Sequence, residues 1–461
     1  MEFESILTPQ CKLRWRFLSL LLLMWPLCVQ AADVQAPPSP QLSLQLSEPR
    51  STVILTLDEA IQTALDSNPN IKAAKERINS QQAVLGQQMA AYYPTITSSE
   101  RYQTGTQSGS SNIAPNGSDF FTGGAAVNMT LYNFGKREGT VQSARETLNA
   151  TLFNYKTTLD SVVLGVKQSY YAYLQARAIV QVRQETVNNR DLLVRQARAF
   201  FDVGTRARID VVRAEANLYT AQADLISAEN AVAVAWVVLK NAVGVRDFPV
   251  RPLVEDTTMT ALPYKLDEAR EIAYSNRPEL KSFDAQLRAQ DQTIATARRG
   301  HLPDIIFDGN YARRHVSNEP TPTGRPQINT FPLKPSWQVQ LSLVVPIFDG
   351  FRTTNRVEET LHTYYTIQAQ EETQRQQVAL DVEQSYLRLL ELQQRIKANK
   401  AAADAAKENL DLANGRYEVG VGSIIEVTDA QNTYTDAQTT YVRALYDYKI
   451  ADAQFTRAVG G

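Results

Sequence analysis

Residues Val419–Gly461 read VGVGSIIEVTDAQNTYTDAQTTYVRALYDYKIADAQFTRAVGG, a Val-Gly turn followed by a helix with a regular seam. After Val427 come Ala430, Tyr434, Ala437, Tyr441, Ala444, Tyr448, Ala451, Phe455 and Ala458, at spacings that alternate between 3 and 4. That is the a/d pattern of a coiled coil, kept over about four heptads. The same design occurs 216 residues earlier, in Val211, Ala214, Leu218, Ala221, Leu225, Ala228, Val232, Ala235 and Leu239. Large and small residues alternate in both seams, so a partner helix can approach closely at every second layer. The chain therefore carries two copies of one long helical hairpin.

The duplication extends outward from these seams. At the same offset Gln168-Ser169-Tyr170 matches Gln384-Ser385-Tyr386, and Ala242-Val243-Gly244 matches Ala458-Val459-Gly460. Further upstream the offset is 209: Leu57-Asp58-Glu59-Ala60 matches Leu266-Asp267-Glu268-Ala269, and Asn68-Pro69 matches Arg277-Pro278. Each such pair opens a short helix, then a longer one (from about Asn70 to Ala91 in the first copy) that stops at Tyr93-Pro94 or Leu302-Pro303. No proline occurs between Pro115 and Pro249 or after Pro346. A helix from Glu138 to Phe201 would be about 95 Å long at 1.5 Å per residue. At its far end Asp202-Val203-Gly204-Thr205 reverses the chain, as Glu418-Val419-Gly420-Val421 does in the second copy. Internal duplication explains these matches most simply.

Between the shorter and longer helices the hydrophobic period changes to two. Trp337, Val339, Leu341, Leu343 and Val345 alternate with Gln338, Gln340, Ser342 and Val344, and Ile305, Phe307, Gly309 and Tyr311 alternate with Ile306, Asp308, Asn310 and Ala312. In the first copy Val127, Met129 and Leu131 alternate with Asn128, Thr130 and Tyr132, beside a Thr/Ser-rich strand. The sequence predicts a first repeat at 55–250, with strands near 95–107 and 119–132 and a helical hairpin at 136–244. The second repeat, 251–461, has strands near 304–314 and 336–346 and a hairpin at 351–459. Strands of roughly ten residues suit a tilted crossing of a bilayer. The strands of each pair are joined by a polar loop, Ser108–Asp119 or His315–Pro335, where the seven-residue difference in offset is easily accommodated.

Composition narrows the function classes. The 461 residues hold 47 Lys and Arg against 49 Asp and Glu. Residues 1–31 read as a signal peptide, with Lys12, Arg14 and Arg16 before an apolar core at Phe17–Val29 and a small-residue cleavage site at Ala31. Its removal leaves a net charge of −3, which gives no reason to expect nucleic acid as a partner. Both cysteines, Cys11 and Cys28, fall in that segment, so disulfide, thiolate-metal and cysteine-nucleophile chemistry are excluded from the remainder. Leu27 just before Cys28 fits a lipoprotein signal poorly. Residues 32–54 are rich in Pro, Ser and Gln and read as a disordered leader.

These elements force an assembly. Four strands cannot close a barrel, for which about eight is the practical minimum. An open edge in lipid leaves backbone groups without partners. The expected fold class is thus an α+β membrane protein, in which several chains share one β-barrel continuous with a helical tube. Such a tube conducts.

In the order and doubled spacing of its motifs, the chain resembles the TolC family of outer-membrane efflux and secretion channels. The carriers are the Leu-Asp-Glu-Ala openings, the helix-to-strand prolines, Phe348-Asp349-Gly350, and the Val-Gly turns followed by Ile209-Asp210-Val211 and Ile425-Glu426-Val427. The resemblance covers about Leu55 to Gly461. It implies a homotrimer with an α-barrel and a shared twelve-stranded β-barrel, in the outer membrane of a Gram-negative bacterium and in contact with its lipid. It further implies docking to a periplasmic adaptor (membrane fusion) protein and an inner-membrane pump of RND, ABC or MFS type, with no cofactor. A periplasmic coiled-coil scaffold would account for the seams but not for strands of lipid-crossing length.

By the family pattern, Glu426 and Asp429 line the channel constriction with carboxylate rings that favour cations. Acids in a first helical turn also complement the helix dipole, so a purely structural reading stands beside that one. The resemblance assigns tip closure to Tyr417, Asp210, Arg206 and Arg208, with a hydrogen bond from Tyr417 to Asp210; a surface tyrosine and a helix N-terminal acid are the plain alternative. Where the family places an arginine shortly after the second Val-Gly, this chain has Gly422, and Arg206, Arg208 and Arg213 cluster at the first turn. Val203, Gly204 and Thr205, with Val419, Gly420 and Val421, are the implied adaptor-docking turns, although helix termination alone explains the glycines. His301, His315 and His362 have no metal spacing, and no catalytic constellation is present, so an enzyme is not expected.

Overall fold

The structure is a computed structural model describing residues 55–106, 117–246, 253–254, 258, 264–317 and 334–461. The expected signal peptide with Cys28, the leader, and most of the two strand-joining loops lie outside the described residues. Within unit Thr52–Gly461 the first half runs α1 (Leu57–Ser67), α2 (Pro69–Met89), β1 (Thr95–Thr106), β2 (Gly117–Tyr132), α3 (Lys136–Asp202) and α4 (Arg208–Val243). The second runs α5 (Leu266–Asn276), α6 (Pro278–Arg298), β3 (Asp304–Ser317), β4 (Lys334–Val344), α7 (Arg352–Glu418) and α8 (Ile424–Val459). Corresponding helices have identical lengths of 11, 21, 67 and 36 residues. At 1.5 Å per residue, α3 and α7 are each about 100 Å long.

The joints between helix and strand are tighter than a simple helix stop. Instead of reaching Ala91, α2 ends at Met89 and a 3-10 turn covers Ala90–Tyr92; Arg299–His301 does the same after α6. Pro94 and Pro303 hold the residues before them, Tyr93 and Leu302, in extended conformation, and the last helical turn tightens to meet them.

The heptad seam on α8 is buried at Val427, Ala430, Tyr434, Ala444, Tyr448, Ala451, Phe455 and Ala458. Laterally, α3 touches both α4 and α8, and α8 touches α7, giving the order α4-α3-α8-α7. The two outer helices keep apolar side chains in the open: Val212, Tyr219, Ile226 and Val237 on α4, and Leu380, Leu387 and Leu412 on α7. By length and composition α4 would pass for a membrane span. Its exposed residues recur at heptad-like intervals, however, which is how a helix packs against another helix.

The four strands form one antiparallel sheet in the order β1-β2-β3-β4, so the halves join at β2–β3, while β1 and β4 are its edges. Tyr311 opposes Trp337, Phe307 opposes Leu341, and Ile305 opposes Leu343 on one face. Trp337 is 77% exposed and Leu341 67%. The other face carries Asn310 with Gln338 and Asp308 with Gln340, and the Asn128 amide donates to Asp308 at 2.5 Å. The 11 residues of β4, at about 3.3 Å each and tilted by about 45°, span an apolar band of about 25 Å. One face suits lipid and the other suits water.

Where the hairpins return to the shorter helices, the halves use different chemistry at one position. Asn68 ends α1, accepts from the Asn70 N–H at 2.9 Å, and donates to the Ala242 carbonyl at 2.9 Å. Its counterpart Arg277 is 3% exposed, donates to the Arg457 carbonyl at 3.3 Å, and pairs with Asp381 at 3.0 Å and Glu279 at 3.3 Å. Gly244 (φ 81°) terminates α4 in left-handed conformation, and a Cβ there would lie 2.8 Å from the Asn68 Cα. Gly204 (φ 76°) has open space instead. Gly204→Ala should therefore cost only the backbone strain of about 1–2 kcal/mol, while Gly244→Ala costs that and a backbone collision as well. Unfolding midpoints of the two variants in detergent, ranked with Gly244→Ala lower, check the distinction.

Candidate functional site

The site is the end at which both long hairpins reverse. After α3 the chain turns through Val203, Gly204 and Thr205, with the Gly204 N–H donating to Phe201 O at 2.9 Å and the Thr205 and Arg206 N–H groups to Phe200 O. After α7, the Gly420 N–H donates to Tyr417 O at 3.1 Å, and the N–H groups of Val421 and Gly422 donate to Arg416 O at 3.0 and 2.8 Å. The turns superimpose in sequence at 216 residues, which sets Arg206 opposite Gly422. Val203, Val419 and Val421 are each about 70% exposed, so both turns present apolar tips to solvent.

Arg206 ties the two turns together. Its guanidinium donates to Gly420 O at 3.0 Å and to Gly422 O at 2.6 Å, and it lies 5.3 Å from the Tyr417 ring centroid. A side chain at 422 would place Cβ 2.9 Å from the Tyr417 N and 3.0 Å from the Arg416 carbonyl carbon. A side chain at that position would force this backbone to shift, and it is the first turn that supplies an arginine across the gap. Gln196 adds a second link, donating to Glu418 at 3.2 Å.

Tyr417 is fully buried, with its ring edge-on to Phe200 at 5.5 Å. The expected hydrogen bond to Asp210 does not form within the protomer. The Tyr417 hydroxyl has no hydrogen-bond partner among the described residues, and Asp210 acts on it only through its charge. Burial first, and then Asp210, push the phenol pKa up, with Arg206 opposing; the hydroxyl is neutral at any physiological pH. The ring has been placed by packing, and its oxygen is left over.

Glu426 and Asp429 are exposed on the first turns of α8. Ser423 caps the helix by accepting the Glu426 N–H at 3.2 Å, and the Glu426 carboxylate lies 3.5 Å from Arg416 Nε. Neither acid reaches the Arg206–Tyr417 cluster. Arg208 is exposed and forms no ion pair among the described residues. Above the tip, α3 and α8 meet through polar groups: the buried Arg190 donates to Asn432 at 2.5 Å, Gln431 donates to Asn189 O at 3.3 Å, and Thr186 meets Thr435 at 3.0 Å. Burial lowers the Arg190 pKa, and no carboxylate offsets it. Sequence reasoning passed over Phe200, Gln196 and Arg190; only the offset alignment of Arg206 with Gly422 held a signal. Among the described residues no cluster of His, Cys, Asp and Glu is arranged for a metal.

If the tip is held as described, Tyr417→Phe leaves single-channel conductance in planar bilayers unchanged, because no hydrogen bond is lost. Arg206→Gln removes charged donors worth about 1.5–3 kcal/mol each and raises conductance severalfold in the same assay. A Tyr417→Phe effect as large as that of Arg206→Gln would contradict the geometry.

Comparison with known proteins agrees with the architecture. A family model described as outer membrane efflux protein matches residues 60–245 and again 269–461, once per half. The outer membrane protein TolC of Vibrio cholerae is 23% identical over 413 residues, covering 88% of this chain and 90% of that protein. Protein CyaE of Bordetella pertussis is 26% identical over 431 residues, covering 88% and 82%. Among solved structures CusC aligns with a TM-score of 0.75 at 19% identity, over 94% of this chain and 100% of that one. The outer membrane protein VceC from Vibrio cholerae aligns with a TM-score of 0.73 at 17% identity, over 88% and 96%. With two matched halves, a sheet with one apolar and one polar face, and long hairpins extending from it, the chain belongs to the outer membrane efflux protein family and is an outer-membrane channel.

Proposed function

We propose that the chain works as a homotrimer, a passive exit duct that receives molecules from a periplasmic adaptor and an inner-membrane pump. The observation that carries this reading is the open sheet. Among the described residues edges β1 and β4 both lack partners, at several kcal/mol per unsatisfied group in hydrocarbon. Three copies would supply twelve strands and bring each exposed apolar stripe of α4 against that of α7 in the next copy, which removes both costs at once. Pump and adaptor follow from the company the chain keeps: its relatives include a pyoverdine export protein of Pseudomonas aeruginosa and a toluene efflux pump protein of Pseudomonas putida.

In the trimer, Glu426 and Asp429 form carboxylate rings at the periplasmic entrance, and the Arg206 brace over the Tyr417 ring, with Arg208 and Asp210 at the start of the following helix, holds the tip. The exposed Val203-Gly204-Thr205 and Val419-Gly420-Val421 turns are where the adaptor docks. The reading extends to the pump only as a class, since a passive duct leaves the choice of cargo to the pump. SDS-resistant, heat-dissociable trimers from an outer-membrane fraction test the assembly; a monomer that still forms pores would overturn it. For the entrance, Glu426→Ala with Asp429→Ala should abolish cation preference and block by trivalent cations. Unchanged selectivity would remove the two acids from the constriction.

A further inference from the structure

Among the described residues, Phe134 (φ 54°) and Phe351 (φ 65°) are the non-glycine residues with positive φ. Each sits beside a glycine that is also left-handed, Gly135 (φ 84°) or Gly350 (φ 69°). The order is Phe-Gly in the first half and Gly-Phe in the second. Both halves thus keep a phenylalanine where its Cβ is strained, at whichever of the two positions the glycine does not occupy. Strain repeated in this way points to a use for the ring rather than to the turn itself.

The rings lie at the helix-side end of the lipid-facing surface. Phe134 packs on Tyr132 at 4.8 Å and Phe351 on Phe348 at 5.6 Å, and all four are exposed. Tyr132 is in register with Ile305, and Ile305 with Leu343, which sets Tyr132 on the apolar face of the sheet. Cations crowd the same level. The Arg299 guanidinium donates to Gly135 O at 2.8 Å, and Gly300 packs on Thr353, so the second 3-10 turn bridges both phenylalanine turns. Residues 130–138, 298–304 and 348–353 together hold five cations, Lys136, Arg137, Arg298, Arg299 and Arg352, against three acids, while Arg356 one turn further on pairs with Glu359 at 3.4 Å. The acids are already engaged: Asp304 by Lys136 at 2.9 Å, Glu138 by Arg137 at 3.4 Å, and Asp349 by the Thr353 N–H at 2.9 Å. Arg298 and Arg352 are exposed and form no ion pair among the described residues.

We propose that this belt docks anionic phospholipid of the periplasmic leaflet: the stacked aromatic pairs sit at the boundary of headgroup and acyl chain, and Arg298 and Arg352 take the phosphodiester and its uncompensated charge. An aromatic girdle alone is indifferent to headgroup charge; the surplus of exposed guanidiniums makes this one selective. The proposal rests on the outer-membrane placement but not on the tip or on any pump.

The test uses the full-length protein in vesicles of phosphatidylethanolamine with or without phosphatidylglycerol, and counts retained lipids by native mass spectrometry after extraction. The wild type should retain phosphatidylglycerol in preference to phosphatidylethanolamine. Arg298→Gln and Arg352→Gln should each lower that preference about fivefold, with conductance in the same bilayers unchanged. Phe134→Gly and Phe351→Gly relieve the strain, so the unfolding midpoint in detergent should hold or rise while the gain in midpoint on adding phosphatidylglycerol is lost. No preference in the wild type, a preference that survives both arginine changes, or a lipid-dependent gain that survives both glycine changes would each overturn the proposal.

Discussion

Backbone amides and carbonyls at a sheet edge need partners, and hydrocarbon offers none. That constraint governs this molecule. The sheet β1-β2-β3-β4 has an apolar face fit for lipid and two edges that cannot remain there alone. Everything below it is consistent with a wall segment rather than a closed body. The helices continue from the strands through the tight turns at Ala90–Tyr92, Asn133–Lys136, Arg299–His301 and Asp349–Arg352, and the outermost helices, α4 and α7, leave apolar residues uncovered. A chain that finished its own core would show neither feature.

Within a protomer two kinds of contact are combined. Each hairpin is held by an apolar seam, Val427 to Ala458 on α8 being the clearest. Between the hairpins apolar packing continues, with Leu193, Val194 and Ala197 against Val427, Ala430 and Tyr417 and with Tyr173 and Leu174 clustered with Val442 and Tyr446, and polar ties are added to it: Thr186 with Thr435, Arg190 with Asn432, Gln196 with Glu418, and Arg206 with two carbonyls. Apolar seams are indifferent to small slips, whereas hydrogen bonds to particular atoms hold a single register. The tip is where the two kinds of contact meet. Leaving the Tyr417 hydroxyl buried without a partner costs about 1–3 kcal/mol, which the packing of its ring on Phe200 and beneath Arg206 must offset.

Much of this was legible in the residues because it is periodic. The 3-4 spacing from Val427, the two-residue alternation from Trp337, and the offsets of 209 and 216 determine helices, strands and duplication without any tertiary information. Strand ends were less legible: β3 runs to Ser317 and β4 stops at Val344, since pairing rather than composition decides where a ladder ends. The 3-10 turns before Pro94 and Pro303 were missed because a helix and its tightened last turn have the same composition. At the tip, the acids and the arginine cluster could be found by position, but not the direction of their bonds. The sequence puts Tyr417 and Asp210 beside their respective turns, but it does not show that the phenol is buried without a hydrogen bond and meets Asp210 only through its charge. Nothing in the sequence says that Arg190 is buried.

The exchange at positions 206 and 422 has an evolutionary corollary. An ancestor made of identical halves would have carried the same residue at both turns. Two glycines would leave the carbonyls unclaimed, while two arginines would drive a side chain into the Arg416–Tyr417 backbone. Divergence here is complementary: each turn has become what the other requires. The halves are no longer interchangeable at this position: a gene rebuilt from two copies of the second half would lose the brace even if every helix formed, and one rebuilt from two copies of the first would have to shift the second turn to admit its arginine.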